Sequence, residues 1–228
     1  RRAYLAELSS SLRLFPDDPA FARLFLSRAG KLPSSAEELE LCRLILSRLT
    51  RYSRTDPELP TLAASLMGDL EARKDAVIAY RSMGGASALA TLRALEYGLV
   101  DEAAAVAEML SGAYPVFLGE LSSLFALAGS PAGRDAVLTA LSAWTGKAEF
   151  DSDGDGISEA AFFIANGLVI SWEYDPGQDK EIDSLGFFSD GLPREVRLHR
   201  VGLDIHVAYS SYPGVSSIAY VEKGESRR

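Results

Sequence analysis

Cysteine, histidine and tryptophan are scarce in this chain: 228 residues hold one Cys, two His and two Trp. With Cys42 alone, no disulfide can close within the chain, and the redox compartment stays open. No basic or His-rich sequence surrounds Cys42, so it reads as a buried, inert thiol. No run reaches the ~18 apolar residues of a membrane span, so the sequence contains no transmembrane segment. No signal peptide is present; the chain opens on Arg1-Arg2 without methionine, as a trimmed piece of a longer product would. A surplus of basic residues is missing too. The net charge is −9 and no basic stripe stands out, which argues against nucleic acid as a partner. Gly84-Gly85 lacks the Lys-Ser/Thr of a phosphate loop, and no Gly-x-Ser-x-Gly nucleophile elbow occurs.

The acids that are present are concentrated. Residues 151–191 hold ten (Asp151, Asp153, Asp155, Glu159, Glu173, Asp175, Asp179, Glu181, Asp183 and Asp190) against one base, Lys180, so this stretch carries the whole net charge. Upstream, residues 3 to about 145 are rich in Ala and Leu, with apolar residues recurring at three and four, which predicts helices. Start signals at Asp18-Pro19, Ser34-Ser35 and Asp56-Pro57, and breaks at Gly30, Gly84-Gly85, Gly98 and Gly129-Ser130, divide the stretch into roughly nine short helices. Two of the expected spans are Tyr114 to Ala128 and Pro131 to Trp144. Serial helical hairpins of this kind predict a solenoid.

In this helical part Ala76 with Tyr80, Ala103 with Ala107 followed by Pro115, and Tyr4 with Leu8 followed by Pro16 repeat one spacing. Gly98 stands at a turn between helices. The pattern resembles a divergent tetratricopeptide repeat over residues 1–145. It departs from that family where Pro60 or Ser87 replaces the first-helix aromatic, and in the shorter interval between Ala76 and Ala103. The resemblance implies a concave surface for a protein or peptide partner.

After residue 145 the texture changes to β-branched and aromatic residues alternating with polar ones. Six strands are expected, at 160–165, 168–174, 185–189, 192–201, 203–209 and 215–221. Asn166-Gly167 and Asp190-Gly191 form tight hairpin turns whose positions both want positive φ. Pro193 implies that its strand is unpaired at its start or lies at an edge there. The fold class expected is therefore α+β: a helical domain over 1–145, then an antiparallel β-meander over 146–228. Shifted by 24 residues, the β part overlays itself. Asp151, Asp155 and Glu159 fall on Asp175, Asp179 and Asp183, and Asn166-Gly167 falls on Asp190-Gly191.

Each copy opens with an acidic loop. The first runs Asp151-Ser152-Asp153-Gly154-Asp155-Gly156-Ile157-Ser158-Glu159. Side-chain oxygens at alternate places can turn inward on a hard cation, with glycine allowing the sharp turn midway. Carboxylates so close repel one another unless a cation sits between them. The loop resembles the core of an EF-hand calcium loop: Asp151, Asp153 and Asp155 at positions 1, 3 and 5, Gly156 at 6, the Ile157 carbonyl at 7 and Glu159 at 9. Phe162 stands where the EF-hand has its bidentate glutamate, and a strand follows rather than a helix. The resemblance therefore implies a modest Ca2+ site of the kind found in extracytoplasmic repeat proteins. With neither Cys nor His nearby, zinc is disfavoured. In the second copy, 175–183, Gly177 replaces the middle Asp and Lys180 takes the glycine place, so that loop is expected to keep the turn without the ion.

These features predict a non-enzymatic, calcium-binding interaction module of a bacterial cell envelope or periplasm. Two alternatives are a metal-dependent enzyme, or its regulatory domain, using the acidic loop with His199 or His206 beside Asp204 or Glu195, and a structural domain without metal.

Overall fold

The computed structural model describes residues 2–29, 35–152 and 157–222. The chain divides into two compact units, Arg1–Met109 and Leu110–Arg228. The change from helix to strand comes where the sequence changes texture, near residue 146, but the compact division falls earlier, so two helices go with the sheet. The described residues are α+β: nine helices and an eight-stranded sheet.

The first unit contains α1 (Arg2–Leu14), α2 (Pro19–Ala29), α3 (Ala36–Tyr52), α4 (Leu59–Ala63) with a 3-10 turn at Ala64–Leu66, α5 (Leu70–Ser82), α6 (Ala88–Glu96) and α7 (Glu102–Met109). Short polar side chains start most of them by accepting otherwise unpaired backbone N–H groups. Asp18 accepts from Ala20 at 2.9 Å, Ser35 from Glu38 at 3.1 Å, Ser87 from Ala90 at 3.1 Å and Asp101 from Ala104 at 2.7 Å. Asp56 is different. It carries a start signal like that of Asp18, yet its carboxylate is taken by Arg23 of α2 at 2.6 and 2.7 Å, and the helix begins later, at Leu59. Phe25, Leu41, Ile45, Tyr52 and Leu59 form the larger core. A second cluster gathers Ala64, Val77, Ala94 and Tyr97. Of the positions quoted for the repeat resemblance, Ala76 and Tyr80 are half-buried, whereas Ala103 and Ala107 are exposed. Ala105, Val106 and Met109 are the inward residues of α7.

The second unit opens with β1 (Val116–Phe117), followed by α8 (Leu118–Leu127) and α9 (Pro131–Ala143). The single helix expected over Tyr114 to Ala128 is thus shorter. Pro115 disfavours helix in the residue before it, Val116-Phe117 pairs with β2, and only then does the helix start, with Glu120 accepting the Phe117 N–H at 2.9 Å. Seven strands follow: β2 (Gly146–Phe150), β3 (Ala160–Ala165), β4 (Leu168–Tyr174), β5 (Ser184–Ser189), β6 (Leu192–Arg200), β7 (Leu203–Ser211) and β8 (Gly214–Glu222). They pair in sequence order, parallel between β1 and β2 and antiparallel thereafter. β6 is internal, and Pro193 sits at its start opposite Phe188, beside a bulge.

The register preserves the 24-residue period. The loop 151–159 is bracketed by the pair Phe150 and Ala160, and 175–183 by Tyr174 and Ser184. Both bulges recur at the same offset, at Phe163/Ile164 and Phe187/Phe188. Asn166-Gly167 has φ of 49° and 73°, Asp190-Gly191 of 52° and 75°, the left-handed pair a two-residue hairpin turn requires. The first of these turns docks on the end of α9: Gly167 N–H donates to the Trp144 carbonyl at 2.9 Å and Asn166 N–H to Thr145 Oγ1 at 3.1 Å.

Candidate functional site

The two acidic loops connect antiparallel neighbours, β2 to β3 and β4 to β5, so both leave the same end of the sheet. Asp153 and Asp155, with Gly154 and Gly156, lie outside the described residues. Of the expected ligands, Asp151, Ile157 and Glu159 are described. Glu159 is the best placed. It is 6% exposed, at the point where the loop rejoins the sheet. Its N–H donates to the Phe150 carbonyl at 3.0 Å, and its Oε2 accepts the Ser152 N–H at 2.7 Å. The two ends of the loop are thereby drawn together at its base. Ile157 is exposed, and its carbonyl, the expected seventh-position donor, faces Gln178 at 3.4 Å.

Gln178 is a contributor that spacing alone did not reveal. From the second loop its Nε2 reaches Glu159 Oε1 at 3.2 Å, and Asp175 N–H donates to the Glu159 carbonyl at 2.8 Å, so the second loop rests on the first. Glu149 on β2 is another. It accepts from Ser158 Oγ at 2.9 Å and Lys147 Nζ at 2.7 Å. Burial raises its pKa, but the hydrogen bonds from Lys147 and Ser158, with the Lys147 charge, outweigh this and hold it below the ordinary value.

The second loop closes on its own backbone. Asp175 accepts the N–H groups of Asp179 at 3.3 Å and Lys180 at 2.8 Å, and Asp179 accepts that of Glu181 at 2.9 Å. Lys180, in the place glycine holds in the first loop, has a φ of 72°. Backbone N–H dipoles of the loop itself thus stabilise the Asp175 and Asp179 carboxylates.

Among the described residues, no three His, Cys, Asp or Glu side chains converge as a metal cluster. The donor set of the first loop is nonetheless all oxygen and largely anionic, which suits a hard divalent cation. The histidines lie on β6 and β7, and the His199 N–H donates to the carbonyl of Asp183, the last residue of the second loop, at 2.7 Å. His199 Nδ1 is 2.9 Å from Asp204 Oδ1, its directly opposed residue, and His206 stands opposite Arg197. A cleft of about 600 Å³ in the first unit, lined by Asp17, Ser47, Arg48, Thr50, Arg51 and Arg54, contains none of the expected ligands. Among the described residues, no helix is long and apolar enough to cross a membrane.

No family model, curated protein or solved structure matches the chain.

Proposed function

We propose that the chain is a non-enzymatic interaction module in which calcium, bound by the first acidic loop, fixes the hairpins of the β unit. Asp151, Asp153 and Asp155, the Ile157 carbonyl and Glu159 are the ligands. The observation that carries this reading is the near-complete burial of Glu159 at the base of a nine-residue hairpin loop, its carboxylate accepting from Ser152 and Gln178. A buried carboxylate is retained where its charge is compensated, and a cation held by the loop would supply that compensation. Because the second loop rests on Glu159 and Ile157, a cation held by the first would brace both. The helical unit, read as a divergent tetratricopeptide-type array, would present its surface to a peptide or protein. An extracytoplasmic setting, the bacterial cell envelope or periplasm, would suit a modest site, since calcium there reaches the ~1 mM range of extracellular modules.

The test is calorimetric titration of chelator-treated protein with calcium, with thermal melts alongside. Heat of binding and a higher melting temperature are expected, and both should vanish when Asp153→Ala and Asp155→Ala are combined. Absence of heat and of any melting shift at about 1 mM calcium would sink the reading.

A further inference from the structure

The helical unit gathers positive charge in one place. The turn between α1 and α2 is fixed to the end of α3, where the buried Tyr52 donates its hydroxyl proton to the Pro16 carbonyl at 2.5 Å. Beyond Tyr52 the chain turns back. The Thr55 and Asp56 N–H groups both donate to the Tyr52 carbonyl, at 3.0 and 2.8 Å, and Arg23 clamps the Asp56 carboxylate. These fixed segments line the cleft of about 600 Å³: Asp17 from the first turn, Ser47, Arg48, Thr50 and Arg51 from α3, and Arg54 from beyond it.

Three guanidinium groups here share one carboxylate. Arg51 takes it, Nη1 to Asp17 Oδ1 at 2.8 Å, and its place in the last turn of α3 also complements the helix dipole. Arg48 is left poorly satisfied. Its Nε stands 3.7 Å from the same oxygen, beyond hydrogen-bond length, and its Nη1 is buried with no hydrogen-bond partner among the described residues. A buried N–H of this kind costs free energy until an acceptor reaches the guanidinium. Arg54 is exposed and forms no ion pair with a described residue.

We propose that this cleft binds a small organic phosphate whose remainder is polar and hydroxylated. The positive charge left over after Asp17 is counted matches a phosphomonoester, at about −1.5 to −2 near neutral pH, better than a single carboxylate. Guanidinium forks suit its oxygens, which accept in pairs. The volume falls within the ~300–1,000 Å³ of small-molecule sites, which leaves room beyond the phosphoryl group. No lining side chain is aromatic or aliphatic, so a base or an acyl chain would find nothing to pack on, whereas Ser47, Thr50 and Asp17 can meet hydroxyls. The site lies within the first unit and does not depend on the calcium reading.

The test is calorimetric titration of the full chain, in chelator, with mannitol phosphate as the probe. Saturable heat and a higher melting temperature are expected. Mannitol should give neither, and inorganic phosphate should bind more weakly. Arg54→Gln, at an exposed position, should weaken binding about tenfold or more with the far-UV spectrum unchanged, and Arg48→Gln should do the same. Arg43→Gln, exposed on α3 and outside the cleft, should bind as the parent does. No heat at millimolar mannitol phosphate, equal binding of mannitol, of succinate or of inorganic phosphate, a parent-like affinity in Arg54→Gln, or an equal loss in Arg43→Gln would each overturn the proposal.

Discussion

Gln178 Nε2 lies 3.2 Å from Glu159 Oε1, joining two acidic loops that are separate in sequence. The residue supplying this contact holds a φ of 54°, so the backbone of the second loop is bent to present it. Gln178→Ala keeps that bend and removes only the amide. It should lower stability in chelator by about 1 kcal/mol, the net worth of such a hydrogen bond, read from urea midpoints. If calcium occupies the first loop, the same variant should also weaken calcium binding, because Glu159 would lose a fixed neighbour.

The second loop stores strain at Lys180, whose φ of 72° is one that side chains with a Cβ rarely adopt. Its neighbours already hold the turn through Asp175 and Asp179, so the lysine side chain is not what closes it. Lys180→Gly should therefore stabilise the protein, by about 1 kcal/mol, despite the greater freedom glycine gives the unfolded chain. An unchanged or lower denaturation midpoint would show that the side chain contributes more than the strain costs.

The acid side of the stability curve should carry the signature of Glu149. Its pKa is lower folded than unfolded, so the unfolded chain binds the proton more readily. The stabilisation is complete above its ordinary value of 4.5 and is lost as pH falls below that and through the lowered value. Lys147→Met removes one hydrogen bond and the opposing charge. Its midpoint should fall less steeply than the parent's between about pH 5 and pH 3, with the two curves converging at the acid end.

Much of the β unit was legible because its turns are chemically specific. Asn166-Gly167 and Asp190-Gly191 demand positive φ at both positions, and once they are placed the flanking strands follow within a residue or two. The strands that escaped notice are those defined by their partners. Gly146–Phe150 contains Lys, Ala and Glu and is a strand because β3 lies beside it, and Val116–Phe117 is too short to show any alternation. Asp56 misled for a similar reason, since a capping residue and an ion-pair partner look alike until Arg23 arrives from 33 positions away. The candidate loop ligands were chosen from spacing, whereas Gln178 and Glu149 could not be, because both depend on which loop or strand lies alongside. The unit boundary at 109/110 was hidden too, since it reflects packing and not composition.

Arg23 ties the first unit together. Its guanidinium holds both oxygens of Asp56, at 2.6 and 2.7 Å, and Glu58 at 3.0 Å, linking α2 to the turn that opens α4. The hydrogen bonds to Asp56 come first in raising its pKa, against the opposing effect of burial, so it stays charged. Arg23→Leu would leave two carboxylates, only 17% and 19% exposed, without their cation. Removing one partner of a fully buried pair costs about 3–5 kcal/mol. Arg23 is itself 38% exposed, so water screens part of that loss, and about 1–3 kcal/mol is expected. The loss should shrink when Asp56→Asn and Glu58→Gln are added, because the stranded charges are then gone. A double-mutant cycle in urea measures this directly, and additive losses would show that Arg23 acts through its packing rather than through its charge.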